Sequence, residues 1–339
     1  MKNDVEILLK WYLENKRLLP WRMDKDPYHV WISEIMLQQT RIEAVITYYE
    51  RFMKRLPTIQ DLSNSSEDEL LKLWEGLGYY SRARNLKKAA MEIVNQYQGV
   101  FPNNYQEILS LPGIGEYTAG AISSICFDLK EVAIDGNVMR VYCRVEGKDL
   151  DVGDLKVKKK IGEEIKKVLP DHSGDFNQAI MELGETICIP GGIPKCECCP
   201  LQSNCKAHLE GKELVIPRKI VKKEKKEEVY TVFLIQSNGL FALRKRKDGL
   251  LKNMWEFPSY QGFFSKKKVE EMFSTKIQEG ISNTHIFTHK KWIMKSYCID
   301  VDNLIEEYTW VSLNDIEYQY ALPTAFKPFL EYLKIKYPQ

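Results

Sequence analysis

Four cysteines near position 200 have a spacing that could hold a metal centre. The candidate ligands are Cys188, Cys196, Cys199 and Cys205, which lie within 18 residues; the neighbouring Cys198 is expected to point away. Zinc held by four cysteines usually shows two Cys-x2-Cys pairs, whereas this chain has one pair and two unpaired outer cysteines. The pattern favours an iron–sulfur cluster bound by four thiolates, with zinc as the alternative.

Two carboxylates stand where they could work as a pair. Glu34 lies in the first turns of a predicted helix, beside Trp31, Ile32 and Ile35. Apolar neighbours favour the neutral carboxyl, so we expect the pKa of Glu34 to be raised. Asp135 directly precedes another helix. A neutral acid paired with an ionised one is typical of glycosidic bond cleavage. The structural alternatives are a solvated first-turn Glu and an ordinary Asp N-cap.

A glycine turn between two predicted helices could bind a phosphate. Gly113 and Gly115 belong to the sequence LPGIGEYTA at residues 111–119. The turn would present backbone N–H groups at the start of the second helix, where the helix dipole also favours an anion. Thr118 replaces the third glycine of a dinucleotide fingerprint, and no strand precedes it. We expect a hairpin that holds one DNA strand; an ordinary interhelix turn is the alternative.

The first part of the chain has helical periodicity. Apolar residues recur at helical spacing across residues 31–52, Ser66 opens another helix, and a further helix spans residues 82–97. These elements predict an all-α domain at residues 1–217, with the metal-binding loop at residues 188–205.

The composition changes after residue 217. Residues 218–228 are almost wholly charged and are expected to form a solvated linker. We expect strands at residues 229–235, 240–243 and 292–299, and helices at residues 269–277 and 325–335. The sequence therefore predicts a smaller α+β domain at residues 229–339.

Composition and charge exclude several classes of protein. No apolar run approaches the roughly 20 residues that span a bilayer, and the first residues lack a signal-peptide stretch, so we expect neither secretion nor membrane insertion. The net charge is −4 over residues 1–217 and +6 over residues 218–339. Neither part is strongly basic, so any DNA binding must use local groups.

These motifs together resemble the helix-hairpin-helix DNA glycosylases, in particular the MutY-type adenine DNA glycosylases. The resemblance covers nearly the whole chain, and its motifs lie at residues 18–22, 30–40, 76–85, 111–120, 134–141 and 176–184 and at the cysteines. It implies a two-part helical domain with an active cleft between its parts and a [4Fe–4S] cluster on the four cysteines. It also implies a C-terminal Nudix-like domain, expected to read a lesion without hydrolase activity.

The resemblance implies roles for four residues in catalysis. Glu34 would protonate the adenine ring, and Asp135 would stay ionised and stabilise an oxocarbenium-like sugar. Tyr117 and Asn137 would assist at the sugar and a nearby phosphate. Endonuclease III-like relatives carry Lys at the position of Tyr117, where it forms a Schiff base and nicks the strand. Because tyrosine cannot form an imine, we expect base removal without strong lyase activity.

The resemblance also implies contacts with DNA. Arg17, Trp21 and Gln178 match residues that read an adenine extruded from the duplex. Gln39 and Tyr79 match residues that fill or wedge the base stack. Further DNA contacts are expected at Arg22, Leu37, Thr40, Gly113, Gly115 and Thr118.

A short loop in the last domain completes these assignments. Phe287, Thr288 and His289 resemble a Phe-Ser-His loop that contacts the oxidised guanine opposite the adenine. Threonine keeps the hydroxyl of serine and adds a methyl group.

The expected function is a monofunctional glycosylase that removes adenine mispaired with 8-oxoguanine or guanine from double-stranded DNA in base excision repair. We expect a monomer in the cytoplasm, associated with the nucleoid. One alternative is an endonuclease III-like pyrimidine glycosylase and lyase, against which Tyr117 argues. The other is a non-enzymatic iron–sulfur redox sensor that binds DNA, against which the paired carboxylates argue.

Overall fold

The computed structural model describes residues 1, 4–218 and 225–338. The chain divides into two compact units. Unit 1 comprises Met1–Asn64 and Asn85–Val221, and unit 2 comprises Ser65–Arg84 and Lys222–Gln339. Residues 65–84 thus join the C-terminal residues, although they lie within the region predicted as the helical domain. Of the helices in the described ranges, none has the length and apolar character to span a membrane.

The chain up to residue 218 is helical, as predicted. Its α-helices are α1 (Val5–Asn15), α2 (Pro27–Leu37), α3 (Ile42–Arg55), α4 (Ile59–Asn64), α5 (Glu67–Leu73), α6 (Ser81–Tyr97), α7 (Tyr105–Ser110), α8 (Glu116–Phe127), α9 (Gly136–Val145), α10 (Leu155–Lys166), α11 (Ser173–Thr186) and α12 (Lys206–Leu209). Short 3-10 helices lie at Pro20–Arg22, Cys196–Cys198 and Gln202–Asn204.

The stretch expected as one helix over residues 31–52 is two helices, α2 and α3. Gln39 has a left-handed φ of 61°, which a continuing right-handed helix does not allow. Helix α2 begins at the Asp26 N-cap, whose side chain accepts a hydrogen bond from Tyr28 N at 2.8 Å, and Pro27 follows at the first helical position. The break therefore creates a corner at residues 38–41, beside the end of the helix that carries Glu34.

The main apolar core of unit 1 lies around α9 and α11. Helix α11 packs against α1, α8 and α9, and α2 packs against α8. Leu8, Tyr12, Val141 and Phe176 are almost fully buried in this core. Because α8 and α9 meet this framework, the residues at their N-terminal turns are held by packing, and the packing of α2 on α8 holds the C-terminal half of α2, which carries Glu34.

Two of the predicted helix boundaries agree closely with the structure. Ser66 caps α5, and its side chain accepts a hydrogen bond from Glu69 N at 3.1 Å. The helix expected over residues 82–97 is α6, which begins one residue earlier, at Ser81.

The C-terminal part of unit 2 is a mixed sheet with three helices. Its elements are β1 (Lys226–Ser237), β2 (Leu240–Lys245), β3 (Trp255–Glu256), β4 (Ser259–Gln261), α13 (Lys266–Phe273), β5 (Ile277–Ile286), β6 (Lys290–Asp300), β7 (Thr309–Val311), α14 (Leu313–Tyr318) and α15 (Lys327–Lys336). The strand order is β3-β2-β1-β6-β5, with β4 paired to β1 and β7 paired to β2. Strands β1 and β6 are parallel, and the other pairs are antiparallel.

The predicted elements of this part are mostly present, with changed limits. Strand β1 begins at Lys226, inside the predicted linker, and the linker residues 219–224 lie outside the described residues. The helix expected at residues 269–277 ends at Phe273, and Ile277 already begins β5. Strand β5 was not predicted, because its largely polar and exposed residues show no clear alternation.

Candidate active site

Eleven of the predicted site residues line one cleft of about 1370 Å³ in unit 1. They are Arg17, Trp21, Arg22, Glu34, Leu37, Gln39, Thr40, Tyr117, Asp135, Asn137 and Gln178. The cleft exceeds the roughly 300–1,000 Å³ of ordinary small-molecule pockets. It therefore has room for a nucleotide and its backbone.

Glu34 is buried, as its apolar neighbours predict. Its expected place in the first turns of the helix is wrong, because α2 already begins at Pro27 and Glu34 is the eighth of its eleven residues. Trp31, Ile32 and Ile35 are at most 3% exposed, and Glu34 itself is 7% exposed. Burial raises the pKa of Glu34 to about 7, opposed by a hydrogen bond from Tyr117 and reinforced by the charge of Asp135. The carboxyl is thus poised to hold or release a proton near neutral pH.

Tyr117 holds the Glu34 carboxyl in place. Its hydroxyl donates to Glu34 Oε2 at 2.6 Å and lies 3.6 Å from Met181 Sδ. Burial, followed by the charges of Glu34 and Asp135, keeps the pKa of Tyr117 well above its usual value. The phenol therefore stays protonated and remains a hydrogen-bond donor.

Asp135 is the N-cap of α9 and faces the same cleft. Its Oδ1 accepts from Val138 N at 2.8 Å, and its Oδ2 accepts from Asn137 Nδ2 at 2.9 Å. Burial raises the pKa of Asp135 above its usual value, and these hydrogen bonds and the charge of Arg140 offset only part of that rise. Among the described residues Tyr117 alone donates a side-chain hydrogen bond to Glu34, whereas Asp135 accepts from both Asn137 and Val138, so Asp135 is the better supported of the two as a carboxylate.

Helix α11 fixes the position of Asn137 and of the backbone at residues 131–133, just before Asp135. The Asn177 side chain on α11 accepts from Ala133 N at 3.3 Å and donates to Ser124 Oγ and to Glu131 O, both at 2.9 Å. A Cβ on Gly184 would come within 2.7 Å of Asn137 Cβ, so glycine is required for α11 to approach α9 here. Sequence reasoning assigned no role to Asn177.

Arg140 connects the catalytic turn to the cysteine loop. Its guanidinium donates to Asn137 Oδ1 at 2.8 Å, to Cys188 O at 2.7 Å and to Gly184 O at 2.8 Å. Because Asn137 in turn donates to Asp135, one chain of hydrogen bonds runs from the backbone of Cys188 to the Asp135 carboxylate. The helical pattern of α9 does not reveal this role, since it does not tell which polar residues turn inward.

A buried ion cluster lines another wall of the cleft. Glu182 accepts from Arg17 Nε at 2.5 Å and from Arg22 Nη2 at 2.9 Å. Burial alone would raise the pKa of Glu182, but the two arginines more than offset this and lower it. Sequence reasoning missed Glu182; its place four residues after Gln178, on the same face of α11, was the available signal.

The glycine turn before α8 has the predicted shape. Gly113 has a φ of 80°, and a Cβ there would lie 2.5 Å from Asn85 Cβ, so this position requires glycine. A Cβ on Gly115 would meet open space, and this N-cap brings no side chain to the helix end. Thr118 is only 1% exposed, which contradicts the expected DNA contact through its side chain.

The four cysteines share one loop and one environment. Cys188, Cys199 and Cys205 pack against the core of unit 1, and Cys198 is exposed. The pKa of Cys196 is raised by burial and then by Glu213, Cys188 and Cys205, so these groups lie near one another. Arg144 Nη1 donates to Cys188 Sγ at 3.3 Å.

The donor types on this loop are compatible with an iron–sulfur cluster. Among the described residues, the metal-ligating atoms that gather within 4.8 Å belong to Cys196, His208 and Glu213, and thus include one sulfur. That mixed group leaves out three of the four cysteines, whereas four thiolates are the donor set that iron–sulfur clusters use. Sequence reasoning gave His208 no role.

The other predicted residues lie in unit 2. Phe287 packs edge-on against Trp292 and His285, with ring centroids 4.8 and 4.5 Å apart, and anchors the turn between β5 and β6. Thr288 and His289 are exposed at this turn. The Thr288 hydroxyl contacts the Tyr79 hydroxyl through a short hydrogen bond.

Comparisons with known proteins agree with this arrangement. Residues 32–170 match the family of HhH-GPD superfamily base excision DNA repair proteins, and residues 231–332 match the NUDIX domain. An adenine DNA glycosylase of Buchnera aphidicola subsp. Baizongia pistaciae is 41% identical over 259 residues, covering 75% of this chain and 73% of that protein. The Mus musculus adenine DNA glycosylase is 34% identical over 361 residues, covering 87% of this chain and 70% of that protein.

A solved structure supports the fold of the helical part. A thermostable thymine-DNA glycosylase is 31% identical and has a TM-score of 0.56, covering 62% of this chain and 96% of that chain. The sequence similarity agrees with the helical cleft, the glycine hairpin and the cysteine loop. The chain therefore belongs to the adenine DNA glycosylases of the HhH-GPD superfamily.

Proposed function

We propose that this glycosylase hydrolyses the N-glycosidic bond of adenine paired with 8-oxoguanine, or with guanine, in double-stranded DNA, and that it acts as a monomer. The observation that carries the proposal is the pair of acids in one cleft. Glu34, with its pKa raised to about 7, faces the same space as Asp135. Two carboxyl groups in different protonation states are what cleavage of a glycosidic bond requires.

Glu34 is the proposed general acid. Its protonated carboxyl would donate to a ring nitrogen of the extruded adenine and turn the base into a better leaving group. Tyr117 keeps one carboxyl oxygen engaged at 2.6 Å and thereby directs the other oxygen toward the base. Because Tyr117 offers no amine, no Schiff base forms, which supports base removal without strand cleavage.

Asp135 is the proposed partner of the developing positive charge on the sugar. Hydrogen bonds from Asn137 and Val138 support its ionised form and fix its orientation. Stabilisation of a transition-state charge by a preorganised group is a large contribution to catalysis. We assign Asn137 a further role at the sugar and the nearby phosphate.

The walls of the cleft supply contacts to the base. Arg17 Nη2 is buried, forms a long ion pair with Glu185 Oε2 at 3.8 Å and makes no hydrogen bond to any described residue, so it could donate to an acceptor on adenine. Trp21 lines the cleft and packs edge-on against Tyr49 at 5.3 Å, which offers a rigid ring edge. Gln178 and Arg22 complete this wall.

The remaining contacts are proposed to hold the duplex and read the opposite base. Leu37, Gln39 and Thr40 lie where α2 ends, at the rim of the cleft, and Gly113 and Gly115 offer backbone N–H groups to a phosphate. Tyr79 would wedge the base stack. Phe287, Thr288 and His289 would contact the oxidised guanine.

The cysteine loop is proposed to hold a [4Fe–4S] cluster on Cys188, Cys196, Cys199 and Cys205. The cluster would cross-link the loop and brace the end of α11. The hydrogen bond from Arg140 to Cys188 O supports the view that an ordered loop also steadies the catalytic turn.

A panel of duplexes tests the proposal. Adenine would be paired with 8-oxoguanine, guanine or thymine, and a further duplex would carry an oxidised pyrimidine. We expect release of adenine opposite 8-oxoguanine and guanine, with strand breaks only after alkali. Breaks without alkali, or excision of the pyrimidine lesion alone, would support the endonuclease III-like alternative. Glu34→Gln should abolish release, whereas Glu43→Gln, the same change at an exposed position of the cleft, should not.

A further inference from the structure

Residues 65–84 are attached to the C-terminal part of the chain along most of their length. Asp68 forms an ion pair with Lys245 at 2.7 Å, and Glu67 accepts from Asn253 Nδ2 at 2.8 Å. Further along, Arg84 donates to Lys252 O at 3.0 Å. All of these residues belong to unit 2.

Lys72 also joins this segment to the C-terminal part of unit 2, and its ammonium is fully hydrogen-bonded. Its Nζ donates to Glu75 Oε2 and Glu317 O, both at 2.6 Å, and to Tyr320 O at 2.9 Å. A lysine ammonium has three N–H donors, and all three are used here. Glu317 and Tyr320 lie at the C-terminal end of α14, where carbonyls lack helical partners and the helix dipole favours a cation. Lys72 therefore caps α14.

The turn that follows α5 carries Tyr79 and is held by side-chain hydrogen bonds. Tyr79 has a left-handed φ of 47°, which is uncommon for an aromatic residue. Arg82 Nη2 donates to Leu77 O at 3.1 Å and Gly78 O at 3.2 Å, and Trp74 Nε1 donates to Gly78 O at 3.1 Å. The turn thus follows the placement of α5, and at its tip the Tyr79 hydroxyl meets the Thr288 hydroxyl.

We infer that Lys72 is a positioning residue: by capping α14 it holds α5 on unit 2 and so keeps Tyr79 aligned with Thr288 before DNA binds. The inference rests on the proposed function, in which Tyr79 wedges the stack and Thr288 contacts the base opposite the adenine. The preference for 8-oxoguanine then depends on Lys72, whose ammonium hydrogen-bonds only to protein groups and to which no DNA contact is assigned.

The test is Lys72→Met in the full, cluster-loaded chain. Glu75 retains Lys327 at 3.0 Å, so the substitution does not strand its carboxylate. We expect amide hydrogen exchange in residues 76–82 to rise about tenfold or more, because three hydrogen bonds are lost. Single-turnover excision should lose most of its preference for adenine opposite 8-oxoguanine over adenine opposite guanine. Lys72→Arg should restore part of both properties, since it keeps the charge and several donors.

Lys267→Met, at an exposed position of α13, is the matched control and should leave exchange and preference unchanged. Unchanged exchange in Lys72→Met would overturn the inference, because the turn would then not depend on Lys72. Faster exchange with an unchanged preference would overturn it too, because loosening the turn would then not affect how the opposite base is read. A merely structural residue would lower only the melting temperature. If the wild-type chain releases adenine opposite neither 8-oxoguanine nor guanine, the proposed function fails. If it releases adenine opposite both without preference, the proposed function stands and the lesion contact of Thr288 fails. In either case the exchange result alone decides whether Lys72 positions Tyr79.

Discussion

Replacing Glu34 with Gln should make the protein more stable at alkaline pH while removing its activity. Burial raises the pKa of Glu34 from 4.5 to about 7, so the folded protein binds this proton more tightly than the unfolded chain. Between pH 4.5 and about pH 7 the folded protein keeps this proton while the unfolded chain has lost it, so the free energy of unfolding falls as the pH rises. Above about pH 7 both states are ionised, and the buried carboxylate destabilises the folded protein by the full amount.

The size of the effect follows from the shift. At 1.36 kcal/mol per pKa unit, the wild-type chain loses on the order of 3 kcal/mol between the two pKa values, of which about 2–3 kcal/mol falls between pH 5 and pH 8. Glutamine fits the same space and can still accept from Tyr117, but it carries no charge. The stability of Glu34→Gln relative to the wild type should therefore increase by that amount from pH 5 to pH 8.

Thermal unfolding of both proteins at the two pH values measures the difference. A unit of 150–250 residues shifts by about 2–4 °C per kcal/mol, so we expect the melting temperature of the variant to gain about 5–10 °C on the wild type. Glu14→Gln, on the exposed face of α1, is the control and should gain nothing. Parallel curves for Glu34→Gln and the wild type would refute the burial argument and, with it, the role of Glu34 as a neutral acid.

Three further results are expected. The single-turnover excision rate should fall about tenfold per pH unit above about 7, as Glu34 loses its proton, and should also fall at acidic pH, as Asp135 gains one; a rate that rises above pH 7 would contradict the role of Glu34 as the acid. Arg140→Gln should slow excision by about tenfold or more while adenine-containing duplexes still bind, because Asn137 and Cys188 O lose a charged donor; unchanged single-turnover rates would exclude the link. Cys199→Ser should remove the brown colour and weaken DNA binding before it alters the chemistry, measured by absorbance and by titration with duplex; a colourless, zinc-containing wild-type protein would reject the cluster.

Local features of the site could be predicted from the sequence. The burial of Glu34 follows from three large apolar neighbours, and Asp135 as an N-cap follows from its place before α9. The left-handed Gly113 follows from the turn chemistry of the hairpin. In each case the deciding interactions lie within a few residues of the chain.

Long-range features could not be predicted in this way. Glu182 pairs with Arg17 and Arg22, which lie 165 and 160 residues away in the sequence, and no local sequence pattern predicts such a pairing. The membership of residues 65–84 in unit 2 depends on partners beyond residue 240, and the helical periodicity of α5 is the same whichever surface covers it. Thr118 was misassigned because the motif fixes its place on α8 but not the side of the helix that turns inward.

The attachment of α5 also constrains how the chain can be made. The hydrogen bond from Lys72 to Tyr320 O can form only after Tyr320, 248 residues later in the chain, has been synthesised. At a translation rate of about 5–20 residues per second this takes roughly 12–50 s. During that interval α5, whose Leu70, Leu71 and Trp74 are fully buried in the finished protein, lacks the contacts that Asp68 and Lys72 make with the C-terminal part of unit 2. Nascent chains stalled before residue 320 should accordingly recruit chaperones at this segment.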